Sequence, residues 1–325
     1  MVHISVKESA MTLKNELLYR FTRQPGICFG ENELASVCGV SPAEIRQAVS
    51  ELQQDGYDIQ SGTAGFCLMN TDDLRADMIM ALSGDIQAPV YVFDEIDSTN
   101  NYARVLAGQN AEHGTLVCAD HQTAGRGRQG HTFYSPKHDG LYFSLIIYPQ
   151  QQELVFRNTP AAAVSAVEAI EEITGIHPEI KWVNDLFIEK KKVAGILTEA
   201  VNDRTDGTVK AVIIGIGINI RNVTFPEEIR NTAGSLGIEN ISRSALAASL
   251  RRHLLYHTAH LDDPVLMDLY RRDSAVLGRE ITYTMNNEVY TGTAEAINDE
   301  GNIVIKKPDG STLILQSGER SIKNW

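Results

Sequence analysis

No apolar run in this 325-residue chain approaches the roughly 18 residues that a membrane-spanning helix requires, which excludes a helical membrane protein. The segment Met1-Val2-His3-Ile4-Ser5-Val6-Lys7-Glu8 lacks the apolar core of a secretory signal, so export by that route is not expected. The four cysteines, Cys28, Cys38, Cys67 and Cys118, form no C-x-x-C pair and have no histidine cluster beside them. This speaks against metal ligation by them, and buried, reduced thiols in a cytoplasmic protein are expected. An excess of basic charge is also missing. The formal net charge is -13, which argues against strong nonspecific nucleic-acid binding by the whole chain but leaves room for a small DNA-reading module. Internal repeats and low-complexity tracts are absent.

What is present is an ordinary globular composition, 43% hydrophobic and 22% charged. The length predicts about two or three domains. In residues 1–70, Leu13, Leu17, Leu18 and Phe21 have the spacing of one amphipathic helix face. Glu31 to Cys38 gives a second helix, and Gly39 a turn. Ser41-Pro42-Ala43-Glu44 carries three helix-start signals: a capping serine, a first-position proline and a capping-box glutamate. Ile45, Val49 and Leu52 are the apolar stripe of that third helix. A hairpin follows around Gly62 and Gly65. The order predicts either a winged helix-turn-helix or a small helical interaction domain. In the first case Ser41, Glu44, Arg46, Gln47 and Ser50 face the DNA. The segment holds five basic against eight acidic side chains, so one copy has little affinity for phosphates.

Residues 71–88 read as a connector, helical in part between Asp72 and Leu82. Residues 89–275 mix apolar strand runs with helices, such as the one predicted from Thr159 to Ile173, and form one α+β domain. From 276 to 325 alternating runs are separated by turns at Asn286-Asn287, Glu300-Gly301 and Asp309-Gly310, which predicts a small β-barrel-like domain.

Four segments of the middle region carry chemistry. Gly125-Arg126-Gly127-Arg128-Gln129-Gly130 sets two arginines among glycines, as an anion grip or as a plain surface turn. Asp97-Ser98-Thr99-Asn100 is an N-cap, or a set of polar contacts to a neutral ligand. Lys181-Trp182-Val183-Asn184-Asp185 leads through a lysine run to Lys192-Val193-Ala194-Gly195. Gly215-Ile216-Gly217-Ile218-Asn219 is a glycine-broken strand on which a flat ligand can lie.

This set, in this order, resembles the biotin–protein ligases, and the N-terminal unit makes it similar to the bifunctional ligase and biotin-operon repressor type. The resemblance covers essentially the whole chain. It implies a class II synthetase-like catalytic domain with a mixed sheet and an SH3-like C-terminal module. It implies that Ser98, Thr99, Asn100 and Gln122 contact the biotin rings. Gly125, Arg126, Gly127 and Arg128 would order over biotin and its adenylate. Lys192 would reach the carboxylate and α-phosphate, Asp185 and Lys181 would lie near the reacting centre, and Gly195, Gly215, Gly217 and Asn219 would line the pocket. The implied substrates are biotin and ATP with Mg²⁺, and the acceptor is a lysine of a biotin carboxyl carrier protein of acetyl-CoA carboxylase. Operator DNA and a homodimer formed with the adenylate are implied partners. The chain departs from the family pattern at three places: Val183 stands for a proline, His131 for a frequent arginine, and the wing from Ile59 to Phe66 has no Lys or Arg. The alternatives are a biotin-sensing transcription factor without ligase activity, which would not need Lys192 and Asp185, and a lipoate-type ligase, against which the G-R-G-R-x-G loop speaks.

Overall fold

Helix caps and glycine turns set the N-terminal unit, as its sequence predicts. In the computed structural model, residues 12–24, 26–69, 74–203, 205–221, 224–285, 288–316 and 322–324 are described. Residues 1–11, the boundary at 70/71 and the Asn286-Asn287 turn lie outside them. The unit runs α1 (Leu13–Arg23), β1 (Cys28–Phe29), α2 (Glu31–Cys38), α3 (Pro42–Gln54), β2 (Ile59–Gly62) and β3 (Gly65–Leu68). Gly39 ends α2 at φ 68°, a left-handed conformation that favours glycine. Ser41 caps α3: its backbone N–H donates to the Glu44 carboxylate at 2.7 Å, and the Glu44 N–H donates to Ser41 Oγ at 3.3 Å. Leu17, Leu18, Phe21, Leu34, Ile45, Val49, Leu52 and Leu68 form the core of the unit. The strands pair in the order β1-β3-β2.

That register corrects the expectation for the cysteines. Cys28 on β1 lies opposite Cys67 on β3, and the two are joined in a disulfide with 4.3 Å between Cα atoms. Thirty-nine residues separate them in sequence, and only strand pairing brings them together. Cys38 and Cys118 are free thiols, and burial pushes the Cys118 thiol up.

After α4 (Ala76–Leu82) the chain enters the central region. It continues through β4 (Val90–Phe93), α5 (Thr99–Gly108), β5 (Leu116–Ala119), β6 (Gly140–Ile147), α6 (Asn158–Thr174), β7 (Glu179–Lys181), β8 (Asp185–Ile188), β9 (Lys191–Asn202), β10 (Val209–Asn219), α7 (Arg243–Ala259) and α8 (Pro264–Arg272). The sheet order is β4-β5-β6-β10-β9-β8-β7; β4 and β5 are parallel and the other neighbours antiparallel, so the sheet is mixed. Strands β6 and β10 are mostly apolar on both faces because both faces of the sheet are covered. Leu145, Ile147, Val212 and Ile214 pack in the large core with α6 and α7, while Val117, Ile146, Ala211 and Ile213 pack with Ala103, Leu106 and Ala107 of α5. Helices α6 and α7 pack on each other, and both are rich in small buried residues: Ala162, Ala166 and Ala169 on α6 and Ala245, Ala247 and Ala248 on α7. The α4 helix has Met78, Ile79 and Leu82 buried and packs on α7.

The C-terminal sheet comprises β11 (Glu280–Met285), β12 (Glu288–Ile297), β13 (Ile303–Lys306), β14 (Thr312–Leu315) and β15 (Ile322–Asn324). It is antiparallel throughout, in the order β14-β13-β12-β11-β15. Trp182 Nε1 donates to the Gly301 carbonyl at 2.9 Å and Arg271 Nε to the Ile297 carbonyl at 2.7 Å, tying this sheet to the central region.

Candidate active site

The cleft is built on the glycines of β9 and β10. Gly217 stands opposite Gly195, and Gly215 opposite Leu197. Each missing side chain makes room for a specific neighbour. A Cβ on Gly217 would fall 2.3 Å from the Phe133 ring, and one on Gly215 would fall 2.1 Å from Asn100 Oδ1. A Cβ on Gly195 would press on the end of Lys192 at 3.1 Å. Close approach of side chain to backbone is therefore what the glycine pattern provides.

The wall above this floor is the start of α5. Ser98, Thr99 and Asn100 are buried. Thr99 donates its backbone N–H to Gln122 Oε1 at 2.9 Å, so a residue from another segment satisfies the helix N-terminus. The Thr99 hydroxyl donates to the same oxygen at 3.1 Å, and Gln122 Nε2 donates to Ser135 Oγ at 3.0 Å. Ser144 on β6 reaches both Thr99 Oγ1 at 2.7 Å and Asn100 Oδ1 at 2.6 Å with one hydroxyl. Such a connected network fixes the orientation of both amides, as a polar, uncharged ligand would require.

The glycine–arginine loop folds back on itself beside this wall. Gly127 N–H donates to the His131 carbonyl at 2.7 Å, and Phe133 N–H to the Gly125 carbonyl at 2.9 Å. Gly130 turns the chain at φ 78°. Arg128 donates to Asn184 Oδ1 at 3.0 Å, and Asn184 Nδ2 in turn holds the Ile196 carbonyl at 2.7 Å. Burial lowers the Arg128 pKa, opposed by the charges of Asp185 and Tyr270.

Lys192 brings its ammonium to 2.6 Å from Asp185 Oδ1. The two side chains form an ion pair at the edge of the cleft. Lys181, directly opposite Asp185 on β7, lies with its ammonium 5.4 Å from the Phe187 ring centre. Burial lowers the Lys181 pKa, the Asp185 charge opposes this, and the Lys192 charge adds to it. The turn before Asp185 contains a cis peptide between Trp182 and Val183, and the Tyr270 hydroxyl donates to the Val183 carbonyl at 2.9 Å.

One cleft thus brings together Ser98, Thr99, Asn100, Gln122, Arg126, Gly127, Arg128, Lys192, Gly195, Gly215 and Gly217. Asp185 joins it through Lys192, and Lys181 sits on the adjoining strand. Gly125 and Asn219 are not among its lining residues. Gly125 underlies the loop where a Cβ would strike the Phe133 carbonyl at 2.4 Å, and Asn219 donates to the Gly234 carbonyl at 2.9 Å.

Three comparisons bear on this arrangement. The Biotin/lipoate A/B protein ligase family matches residues 92–219, and the Biotin protein ligase C terminal domain matches residues 276–322. The chain is 31% identical over 326 residues to the bifunctional ligase/repressor BirA of Bacillus subtilis, covering 94% of this chain and 98% of that protein. This chain belongs to the biotin protein ligase family. The bifunctional ligase/repressor BirA of Escherichia coli is 28% identical over 90% of this chain and 92% of its own length. Among solved structures, the biotin protein ligase of Aquifex aeolicus in complex with biotin and ATP is similar with a TM-score of 0.64 and 28% identity, covering 74% of this chain and 100% of that one.

Within this ligase the sequence also left some site residues without a role. Phe133 fills the floor over Gly195 and Gly217, and Ser144 bridges Thr99 and Asn100 from β6. Asn184 positions Arg128, and Glu199 meets Asn100, Arg104 and Arg126. Asn184 lies inside the Lys181–Asp185 motif, whereas Ser144 and Glu199 carry no local sequence signal.

The five residues of the N-terminal unit expected to face DNA are all exposed, on the outer side of α3. Several are engaged within the protein. Ser41 and Glu44 cap each other, Arg46 pairs with Glu31, and Gln47 donates to Glu51 at 3.2 Å. The groove between the start of α2 and the β2–β3 turn is lined by Glu31 and Glu33 as well as Arg46.

Proposed function

We propose that the chain activates biotin with ATP and transfers it to a lysine of a biotin carboxyl carrier protein. The observation that carries this reading is one cleft in which an uncharged polar wall, Asn100 and Gln122, meets two cations, Arg128 and Lys192. The wall suits the neutral rings of biotin. The cations suit the place where a carboxylate meets a phosphate.

In the first step a biotin carboxylate oxygen attacks the α-phosphorus of ATP. The bond to the bridging oxygen breaks, pyrophosphate leaves and biotinyl-5'-AMP remains. Lys192 and Arg128 oppose the negative charge gathered there, in a site where the donors are already placed. In the second step the neutral amine of the acceptor lysine attacks the anhydride carbonyl, an amide forms and AMP leaves. Asp185 accepts or steers the proton released by that amine. The folded loop with Phe133 keeps water from the anhydride.

Mg²⁺ is held mainly by substrate phosphates in sites of this kind, with one or two protein carboxylates. Asp185 is the cleft carboxylate that would take that part, in exchange for its ion pair with Lys192. When bound, the ion supplies countercharge to the pyrophosphate.

The N-terminal helices and hairpin are read as a winged helix-turn-helix over residues 1–70, joined through 71–88 to a catalytic domain over 89–275. Residues 276–325 are read as an SH3-like barrel. The chain then also serves as a cytoplasmic, biotin-responsive repressor that binds operator DNA as a homodimer when it holds the adenylate. Ser50, with Arg46 and Gln47 once they exchange Glu31 and Glu51 for phosphates, presents the face toward DNA, and the acidic surroundings keep the affinity of one copy low.

Transfer is tested with labelled biotin, ATP and an apo carrier protein: label must enter the carrier, and a carrier with its acceptor lysine changed to arginine must stay unlabelled. Pyrophosphate exchange with neither biotin nor lipoate would instead favour a sensor. For the repressor role, a gel shift must appear with biotin and ATP together and fade when either is omitted.

A further inference from the structure

We propose that Glu199 is a positioning residue that latches the glycine–arginine loop and the pocket amide Asn100 to one carboxylate. The inference rests on the ligase reading above. Glu199 lies near the end of β9, its side chain 15% exposed. Its Oε2 accepts from Asn100 Nδ2 at 2.8 Å. Its Oε1 meets Arg104 Nη2 of α5 at 2.5 Å and Arg126 Nη2 of the loop at 3.1 Å. Arg126 is held a second time, by donation from Nη1 to Asn101 Oδ1 at 2.9 Å. One carboxylate thereby joins α5, β9 and the loop.

The latch separates the jobs of the two loop arginines. Arg126 commits its guanidinium to Glu199 and Asn101. Arg128 is the loop cation that reaches the other side, at Asn184. The arginine pair is therefore an anchor followed by a reactive-centre contact. Glu199 also fixes which way the Asn100 amide faces. With its NH₂ committed to Glu199 and its carbonyl oxygen beside Ser144, Asn100 keeps one orientation over Gly215. Bonds of this kind, with both partners charged or one charged, are stronger than neutral ones. Arg104 and Arg126 are 44% and 43% exposed, so their contribution is partly screened, while Glu199 itself is not.

The test uses the full-length protein and two readouts. The first is trypsin nicking after Arg126 and Arg128 without ligands, which reads the latch whatever the enzyme's activity. Glu199→Gln keeps the size of the side chain and removes its charge, so nicking should quicken by about tenfold while the global unfolding midpoint stays near wild type. The second is the steady-state rate of biotin-dependent pyrophosphate exchange. Glu199→Gln should raise KM for biotin by about tenfold and leave kcat within about threefold, because it misplaces a binding amide and spares Lys192 and Arg128. Glu199→Asp should recover part of the loss. Arg126→Met removes the loop's half of the latch from the surface and covers the case in which Glu199→Gln does not fold; cleavage after Arg128 should quicken in it too, and the double variant should be no worse than the single ones. Unchanged nicking in both single variants, with biotin KM as in wild type, overturns the latch. A wild-type protein with no exchange but with fast nicking in Glu199→Gln would remove the ligase reading and keep the mechanical one.

Discussion

Replacing Gly215 by alanine probes the floor of the cleft with a single methyl group. The new Cβ would stand 2.1 Å from Asn100 Oδ1, 2.8 Å from its Cγ and 2.9 Å from its Nδ2. An unstrained contact needs roughly 3.5 Å, so the amide has to retreat by over about 1 Å. Asn100 is buried, and its neighbours Ser144 at 2.6 Å and Glu199 at 2.8 Å cannot follow it together. Losing the neutral bond costs about 1 kcal/mol and the charge-assisted one about 1.5–3 kcal/mol, for a total near 3 kcal/mol before relaxation. Partial relaxation brings the expected loss of stability to about 1–3 kcal/mol. Biotin affinity should fall by at least about tenfold, as the displaced amide enters the ligand's place. Calorimetric titration with biotin and thermal denaturation measure the two effects. Gly108→Ala is the control: no atom lies within 4 Å of its Cβ, and it ends α5 without a left-handed φ. That variant should bind biotin normally and gain a few tenths of a kcal/mol, on the order of the helix preference of alanine over glycine. Gly215→Ala with wild-type biotin affinity and midpoint would refute the packing of Asn100 on the strand backbone.

Three further outcomes follow from other parts of the molecule. Lys192→Ala should lower adenylate formation by about 100- to 1000-fold with an unchanged circular dichroism spectrum, and an unaltered rate would remove Lys192 from the first step. Between α6 and α7, burial opposes charge on Glu168, Glu172 and His253, but their mutual bonds win and hold the carboxyls at about 2 and the imidazole at about 9. The carboxylate contribution is whole above the ordinary value of 4.5 and fades as pH falls toward 2; the His253 contribution is whole below 6.5 and fades as pH rises toward 9. The unfolding midpoint should therefore be highest between those ordinary values, and His253→Gln should flatten the alkaline fall; an identical alkaline fall in that variant contradicts the assignment. Under denaturing, non-reducing conditions two thiols, Cys38 and Cys118, should react with a thiol reagent, whereas four would show Cys28 and Cys67 unpaired.

How far the sequence could carry these conclusions depended on the range of the signal. Ser41, Glu44 and Gly39 announce α3 and the end of α2 because capping and left-handed turns are local physics. The long apolar runs of β6 and β10 and the alternation of β12 are equally local, since burial on two faces or one writes itself into adjacent residues. The three-residue β7 was too short to announce itself, and β8 follows it within a few residues in a stretch better known for its motif. Helix α7 has buried residues around most of its circumference, so it lacks a clean apolar stripe. The cleft residues were legible as motifs because they fall in short continuous segments. Glu199, Ser144 and the Cys28–Cys67 pair were not, because each acquires its meaning from strands distant in sequence.

The central claim is that this cleft joins biotin to AMP. Biotin-dependent exchange of labelled pyrophosphate into ATP measures that step with no carrier protein and no DNA. The purified chain should catalyse exchange with biotin and ATP, and should not with lipoate in place of biotin. Exchange with lipoate alone, or with neither acid, would contradict the account.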